Sequence, residues 1–312
     1  IMKIGMQIGA KLGANGTADL VSRYREIEEA GFDTAWTGNH LNHDAMTILA
    51  LAGTVTSRIE LGTSVVPTYP RHPMVMAQQA LTTSAVTEGR FTLGLGLSHK
   101  FIVEDWQGLT WAAPIHHLRE YLTVLNGLLD GEQVIHDGKE YQVSLNTAPF
   151  TKLEVPNAPR PQVVIAALGP GMLKVTGELA DGTNCWMCGP SYLESTLVPT
   201  INKAAESAGR PAPRVIAGFP ICVTNKVEEA KIQCAKTWEV YGQIYSYKQV
   251  LKREGASGPA DLLIVGNEDS VAKQIEGLAS IGVTELNAHV LGLPEDPDAI
   301  SRTTKLLGGL SK

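Results

Sequence analysis

Groups of polar residues and glycines follow four short apolar runs of this 312-residue chain, each at the point where the run ends. The groups are Thr37-Gly38-Asn39-His40, Ser64-Val65-Val66-Pro67-Thr68, Gly96-Leu97-Ser98-His99 and Leu168-Gly169-Pro170-Gly171. In parallel α/β barrels the carboxyl ends of the strands meet on one face, and the loops that follow them carry the reactive groups. We therefore expect these four groups to gather at one end of the fold.

His40 is the candidate acid or base of this site. An imidazole changes charge near neutral pH, and a position at the end of a strand would point it into the mouth of a barrel. A hydrogen-bonded structural histidine at the rim is the alternative, and position alone leaves both open. His43 follows three residues later, but the glutamate and spacing of a zinc-binding helix are missing, so no metal is predicted.

Residues 94–99 begin like a dinucleotide-binding fingerprint, because glycines occupy positions 94 and 96 after a strand. The third glycine is replaced by His99 and no helical pattern opens directly behind it, so the fingerprint fails. Glycines in a barrel strand let a flat ligand approach the backbone. Packing of small residues inside the barrel explains them equally well.

The run Gly169-Pro170-Gly171-Met172 joins a strand to a helix. Free backbone N–H groups and the positive end of the helix could hold a phosphate there. Such glycine-containing loops are also common without a ligand, and the local sequence leaves both interpretations open.

Cys185 and Cys188 form a C-x-x-C pair. Such a pair can be redox-active or half of a metal site, but no second pair or nearby pair of histidines completes a ligand set. We interpret the two cysteines as small residues at the end of a strand, and nothing in the chain demands a disulfide.

Composition excludes several classes of protein. Hydrophobic residues make up 44% of the chain and charged residues 19%, which is typical of a globular protein with a large core. The formal net charge is -6 and the one dense basic group is the pair Lys252-Arg253, so nucleic acid is not an expected partner. No apolar run is long enough for a membrane span and no basic, apolar leader precedes the first strand, so we expect a cytoplasmic protein.

Short β-branched runs alternate with amphipathic helical stretches along the chain. Strands are predicted over residues 3–9, 34–39, 59–67, 91–98, 163–168, 183–187, 215–224 and 283–291. Helices are predicted over residues 17–30, 44–56, 73–88, 115–130, 171–180, 191–207, from 227 into the region of 252, 269–280 and 298–307. This alternation predicts a single closed (β/α)8 TIM barrel over residues 1–312, with a doubly wound open sheet as the alternative. The turn Asp137-Gly138 predicts a hairpin insertion around residues 131–160.

Several segments together resemble the luciferase-like flavin and deazaflavin oxidoreductases, particularly the branch that uses coenzyme F420. The segments are residues 35–40, residues 58–69 (Arg58-Ile59-Glu60-Leu61-Gly62-Thr63-Ser64-Val65-Val66-Pro67-Thr68-Tyr69), Arg71-His72-Pro73, Ala77-Gln78-Gln79-Ala80, residues 89–96, Ala167-Leu168-Gly169-Pro170 and Gly177-Glu178-Leu179-Ala180-Asp181-Gly182. The resemblance spans nearly the whole chain. It implies a barrel with a deazaflavin in its mouth, and a homodimer.

The resemblance also assigns roles to individual residues. It makes His40 the acid/base histidine and Ser64-Val65 the site of a cis bond without proline, in a bulge that backs the ring. The cofactor contacts that it implies are Asn39, Ser64, Val65, Val66, Leu97, Ser98, Leu168, Gly169, Gly171 and Met172. Asn39 stands where related enzymes often have an aspartate, which makes the choice between F420 and FMN less secure.

His99 stands where the F420-dependent sugar-phosphate dehydrogenases have a catalytic glutamate. The change in charge and proton affinity argues against a sugar phosphate as substrate. We expect His99 and Trp106 to line the substrate pocket. Trp36, Trp111 and Trp186 are further candidates for the mouth, and together they favour an apolar or aromatic substrate.

The resulting hypothesis is an F420-dependent oxidoreductase that transfers a hydride to or from a small organic substrate, with His40 relaying the proton. The first alternative is an FMN-dependent monooxygenase of the same superfamily. The second is a barrel that binds a flavin without catalysis, as a carrier or sensor.

Overall fold

The computed structural model describes residues 2–9 and 16–311 of the chain. Its strands are β1 (Lys3–Ile8), β2 (Thr34–Thr37), β3 (Glu60–Thr63), β4 (Val66–Pro67), β5 (Phe91–Gly96), β6 (Ile135–Asp137), β7 (Gln142–Ser144), β8 (Gln162–Ile165), β9 (Gly182–Trp186), β10 (Arg214–Val223), β11 (Ile264–Gly266) and β12 (Glu285–Val290). Eight of them, β1, β2, β3, β5, β8, β9, β10 and β12, pair in parallel in this order. Because β12 also pairs with β1, the sheet is a closed barrel. The predicted TIM barrel is confirmed, and the open sheet is excluded.

Helices surround the barrel and cover its outer face. They are α1 (Thr17–Glu29), α2 (Ala45–Gly53), α3 (Pro73–Val86), α4 (Pro114–Leu129), α5 (Pro170–Leu179), α6 (Pro190–Tyr192), α7 (Val198–Ser207), α8 (Val227–Thr237), α9 (Tyr245–Glu254), α10 (Glu268–Ser280) and α11 (Ala299–Leu310). Local sequence sets several of their ends: Asp44 caps α2 by accepting the N–H of Thr47 at 2.9 Å, and Gly255 ends α9 with a φ of 81°. Within the described ranges, no helix has the length and apolarity needed to cross a bilayer.

The structure divides three of the predicted elements and adds one strand. The predicted helix over residues 191–207 begins as α6, passes through a π-helical stretch at Leu193–Leu197 and continues as α7. The predicted strand over residues 59–67 is split into β3 and β4 by a cis peptide bond between Ser64 and Val65. The helical sequence after residue 227 is broken into α8, a 3-10 turn at Glu239–Gly242, and α9. Strand β11 was not predicted, because its three residues are too few to show an alternating pattern.

The predicted hairpin is confirmed as β6 and β7, and one buried carboxylate fastens it to α4. Glu120 accepts the backbone N–H groups of Lys139, Glu140 and Tyr141 at 2.9, 2.8 and 2.9 Å. Burial alone would raise the pKa of Glu120, but these hydrogen bonds lower it to about 2. The insertion is therefore held against the barrel by an ionised side chain.

A polar network fills the floor of the barrel around Trp36. The side chain of Trp36 is fully buried, and its Nε1 donates to the Glu285 carboxylate at 2.7 Å. Arg214 bridges the carboxylates of Glu60 and Glu285 at 2.7 and 2.6 Å. A Cβ atom on Gly62 would lie 2.2 Å from the indole of Trp36, so the strand needs glycine there. The expectation that Trp36 lines the mouth was wrong, because its indole is buried inside the barrel, where it packs against Val164 and Ile216.

Candidate active site

Small side chains dominate the inner face of the barrel at the carboxyl ends of its strands. Trp36, Val164 and Ile216 pack together inside the barrel, and side chains two residues further along a strand share their face. The inner face at the mouth is therefore formed by Gln7, Gly38, Ser64, Gly96, Ala166, Trp186, Gly218 and His289. Half of these residues are glycine or alanine. The space beside Gly38, Gly96 and Gly218 is taken by the side chains of His40, Val65 and Trp186.

The cis bond between Ser64 and Val65 forms a bulge between β3 and β4, as the family resemblance implied. The N–H of Ser64 donates to the carbonyl of Thr37 at 2.7 Å, and the carbonyl of Val65 accepts from the N–H of Asn39 at 3.4 Å. A Cβ atom on Gly96 would lie 2.5 Å from Cγ2 of Val65. The glycine of β5 thus makes room for the bulge, which favours the packing interpretation of this glycine over direct approach of a ligand.

The ring of His40 folds back over Gly38 beside the bulge. A Cβ atom on Gly38 would lie 2.6 Å from Nε2 of His40 and 3.1 Å from the carbonyl oxygen of Ser64. Within residues 2–9 and 16–311, no hydrogen bond holds the ring of His40, unlike the ring of His43, which bonds to Thr17 at 3.2 Å. Partial burial lowers the pKa of His40, so the free imidazole is mainly neutral at pH 7. This arrangement suits a group that accepts a proton from a ligand.

Two of the predicted cofactor contacts, Asn39 and Val66, also have structural roles. The Oδ1 atom of Asn39 accepts the N–H of Ala45 at 3.1 Å at the start of α2, which leaves only its amide nitrogen for a ligand. Val66 is fully buried among the core side chains outside the barrel, so its side chain does not face the mouth. The structure therefore corrects the assignment of the Val66 side chain.

The residues after β5 form one wall of the mouth. Leu97 and Ser98 are partly buried, and Ser98 takes a φ of 68° that turns the chain towards His99. The ring of His99 stacks on Phe101 with 6.0 Å between centroids. Trp106 contacts the edge of Phe101 but is 57% exposed, so it lies at the outer rim. The mouth thus contains His99, with Trp106 at its margin.

The other two candidate tryptophans have different surroundings. Trp111 stacks on Tyr69 at 5.1 Å, and Tyr69 stacks in turn on His117 of α4. Trp186 lies at the end of β9, where its ring contacts that of His289 at 3.8 Å. Trp186 is therefore the tryptophan that belongs to the inner face of the mouth.

The loop between β8 and α5 presents unused backbone donors. Gly169 precedes the first turn of α5 with no side-chain cap, and no described residue accepts the N–H groups of Gly171 or Met172. A Cβ atom on Gly169 would meet no atom within 4 Å, so the loop borders open space. The carbonyl of Leu168 accepts the hydroxyl of Tyr192 at 2.5 Å, which fixes the loop from behind. These donors suit an anion.

Arg253 adds a positive charge close to this loop, and the sequence reasoning did not assign it to the site. Its Nη1 donates to the hydroxyl of Tyr192 at 3.4 Å, and its guanidinium lies 5.8 Å from the centroid of that ring. The adjacent Glu254 accepts the N–H groups of Ser191 and Tyr192, which fastens α9 to α6. The only signal in the sequence was the basic pair with Lys252, which had been used solely to judge nucleic-acid binding.

The sequence reasoning also did not assign His289 to the site. The alternation of polar and apolar residues from Glu285 to Val290 could have indicated it, because Glu285, Asn287 and His289 share the inner face. Beneath it, the amide nitrogen of Asn287 donates to Oε1 of Gln7 at 3.1 Å and to Oγ of Ser64 at 3.4 Å. Oδ1 of Asn287 is buried without a hydrogen-bond partner among the described residues.

The C-x-x-C pair lies beside the mouth but faces away from it. Cys185 and Cys188 have free, fully buried thiols. The hydrogen bond from Cys185 and burial raise the pKa of the Cys188 thiol well above its usual range. Within the described ranges, no cluster of three or more histidine, cysteine or acidic residues is arranged to hold a metal ion.

Together, the mouth fits a flat ring that carries an anionic arm. The bulge at Ser64-Val65 can back a ring, and the orphaned Oδ1 of Asn287 can accept a ring N–H group. The start of α5 and Arg253 supply donors and positive charge for the arm.

We next compared the chain with known protein families and sequences. The family model for luciferase-like monooxygenase matches residues 2–285. A 5,10-methylenetetrahydromethanopterin reductase of Methanopyrus kandleri is 29% identical over 313 residues, with 87% of each chain covered.

Solved structures share the fold. The coenzyme F420-dependent tetrahydromethanopterin reductase from Methanopyrus kandleri has a TM-score of 0.77 and 24% identity, covering 98% of this chain and 97% of the other. The oxygenating constituent of 3,6-diketocamphane monooxygenase from Pseudomonas putida, in complex with FMN, has a TM-score of 0.76 and 17% identity, covering 99% and 97%. The two neighbours therefore share the barrel fold of this chain over nearly its whole length.

Proposed function

The chain belongs to the luciferase-like monooxygenase family, and we propose that it is an F420-dependent oxidoreductase that transfers a hydride between the deazaflavin and a small organic substrate. His40 is the proton relay in this proposal. The observation that carries it is the free, neutral imidazole of His40, which lies over Gly38 and beside the bulge at Ser64-Val65. A relative that is a methylenetetrahydromethanopterin reductase and a structural neighbour named for its dependence on F420 support this choice of cofactor.

Different residues of the mouth bind different parts of F420 in this proposal. The bulge at Ser64-Val65 backs the ring, with Leu97 and Ser98 at its side. The N–H groups of Gly171 and Met172 and the guanidinium of Arg253 hold the phosphate arm, since a helix start and a cation both favour an anion. The deazaflavin itself supplies a ring carbon that accepts or donates a hydride.

His40 handles the proton that accompanies the hydride. When an alcohol is oxidised, the proton of its hydroxyl group must leave as the hydride leaves the carbon. The lowered pKa of His40 keeps a ring nitrogen free to accept that proton, and in the reverse direction the protonated ring returns it to the carbonyl oxygen. No described side chain competes for the ring, so it can turn towards the substrate.

Titration of the purified protein with F420 and, separately, with FMN tests the cofactor assignment. Binding is followed by the change in fluorescence of each cofactor. We expect tighter binding of F420. Tighter binding of FMN would replace the proposal by an FMN-dependent monooxygenase, and binding of neither would refute both.

A homodimer is part of the same proposal. Helices α2 and α3 form an apolar groove on the outer face of the barrel, and Leu51, Val75 and Val86 on it are 44%, 54% and 40% exposed. Apolar side chains grouped on a surface in this way are typical of a protein interface. A second copy of the chain would cover them and also support α2, which begins directly after the site residues Asn39 and His40.

A further inference from the structure

Six rings form a continuous chain of contacts around one side of the mouth, which we call the aromatic arc. Its members are Phe101, His99, Tyr247, Tyr241, Trp186 and His289. Successive ring centroids lie 6.0, 6.0, 4.9, 5.8 and 3.8 Å apart. The closest contact joins Trp186 and His289, whose planes are inclined by 31°.

The aromatic arc and His40 come from different parts of the barrel. The arc begins after β5 at His99, passes through Trp186 of β9 and ends at His289 of β12. His40 follows β2, and the bulge follows β3, so both lie on the part of the circle that runs from β12 to β5. A ligand between the two sides would touch aromatic rings on one side and the bulge on the other.

His289 is the member of the arc that offers free hydrogen-bonding atoms next to His40. Among the described residues, none forms a hydrogen bond with its ring nitrogens, whereas the ring of the buried His117 bonds to Thr68 at 3.0 Å. Burial and the neighbouring His40 lower the pKa of His289 to about 3. His289 therefore remains neutral throughout the physiological range. It follows Asn287 on the inner face, and Asn287 bonds to Ser64, whose carbonyl oxygen borders Gly38 beside the ring of His40.

The arc contains no charged side chain that could compensate a charged ligand. Its six members are phenylalanine, tyrosine, tryptophan and histidine rings, and burial lowers the pKa values of its two histidines, His99 and His289, which keeps both rings neutral. Since burying an unpaired charge is costly, a ligand that packs against these rings, away from Arg253 and the start of α5, is favoured when it is uncharged and has an apolar body.

We propose that His289 is a substrate-binding residue, whose imidazole hydrogen-bonds to the oxygen of an uncharged alcohol or carbonyl compound that packs against Trp186. The stack on Trp186 fixes the ring plane of His289, so its outer nitrogen has a defined direction. In the proposed reaction the same oxygen exchanges its proton with His40. This inference rests on the proposed function, because it names the substrate class of the same site.

Four small molecules with the same cyclohexyl ring but different charges test whether the site prefers an uncharged ligand. Because they are similar in size, a difference in affinity reports the effect of charge. Cyclohexanone and cyclohexanol represent the proposed class, and cyclohexanecarboxylate and cyclohexylammonium are their charged counterparts. Dissociation constants are measured by saturation-transfer NMR with F420 present and again without it. We expect the neutral probes to bind at least about tenfold more tightly, because the charged groups lose their hydration without a partner.

Substitution of His289 tests the hydrogen bond itself. His289→Phe keeps a ring against Trp186 and should raise the dissociation constant of cyclohexanone about 3- to 10-fold, the value of one hydrogen bond. His289→Gln retains a donor and an acceptor and should stay within about twofold of the wild type. His116→Phe, on the exposed face of α4, is the control and should have no effect.

An unchanged constant in His289→Phe, equal binding of the charged probes, or no binding of cyclohexanone to the wild type would each overturn the proposal. The affinity for F420, measured by its own fluorescence, separates this failure from failure of the proposed function. If F420 does not bind to the wild type, the proposed function fails, and the titrations without F420 still decide the role of His289.

Discussion

Val65 occupies the space that a side chain on Gly96 would need: a Cβ atom on Gly96 would lie 2.5 Å from Cγ2 of Val65. The bulge of one strand is therefore paired with a glycine of its neighbour, across the β4–β5 pairing. In the proposed site, the shape of the ring pocket depends on this pair, because the bulge would back the ring.

Gly96→Ala should destabilise the fold by about 1 to 3 kcal/mol, since the added methyl group must push Val65 aside. We also expect weaker binding of F420, because the displaced bulge enters the ring site. Urea unfolding and F420 titration measure the two effects. Gly277→Ala, where an added Cβ on α10 meets open space, should instead be neutral or stabilising. Normal stability and affinity in Gly96→Ala would show that the pair does not shape the site.

Arg253→Met should weaken F420 binding about 3- to 10-fold through loss of a charge near the phosphate arm. Its neighbour Lys252 provides the control, because Lys252→Met removes the same charge from the same helix at an exposed position. A deazaflavin without the phosphate arm should bind equally to both variants. If the two variants weaken F420 binding to the same extent, a general effect of charge and not a specific contact is responsible.

Acid should destabilise the fold through two histidines. The folded pKa values of His117 and His289 are lowered to about 4 and about 3, mainly by burial, whereas both titrate near 6.5 in the unfolded chain. Below pH 6.5 the unfolded state therefore binds more protons, and stability falls as the pH falls. For His117, which is 3% exposed, the loss is about 2 kcal/mol between pH 6.5 and 5.

Urea unfolding at pH 7 and pH 5 measures this loss. His117→Gln should be less stable at pH 7, because the bond to Thr68 changes, but its stability should depend less on pH. His43→Gln, which alters a partly buried histidine at the rim, should leave the slope unchanged. An equal slope in wild type and His117→Gln would refute this explanation.

Leu51→Asp combined with Val75→Asp should convert a dimer into a monomer, because each charge would be buried in the groove between α2 and α3. Sedimentation velocity gives the mass of each species. Ile232→Asp is the matched control, since Ile232 is 70% exposed on α8, away from that groove. A monomeric wild type, or a double variant that stays dimeric, would contradict this assignment of the interface.

The order of strands and helices could be predicted from the sequence, because each buried strand and amphipathic helix has its own local period. The hairpin could also be predicted from the sequence, because Asp137-Gly138 is a local signal for a tight turn. The position of the cis bond came from the family resemblance. No local pattern around Ser64 indicates it, because the bulge depends on the space that Gly96 provides in another strand.

The sequence did not predict the roles of residues that depend on contacts between distant segments of the chain. Alternation shows that Trp36 and Gly38 share a face, but not that Trp36 meets Val164 and Ile216 at the floor of the barrel. Arg253 reaches the loop between β8 and α5 because Glu254 fastens α9 to α6. These contacts join segments far apart in the sequence, so a local pattern cannot reveal them.

The rate of a single turnover in His40→Ala tests the central claim most directly. With F420 saturating, reduction of the cofactor by the most active compound in a panel of secondary alcohols is followed by its absorbance. We expect the rate to fall about 100-fold or more, while the dissociation constant of F420 changes by less than about twofold. A wild-type rate in His40→Ala would contradict the account, because the proton would then move without this imidazole.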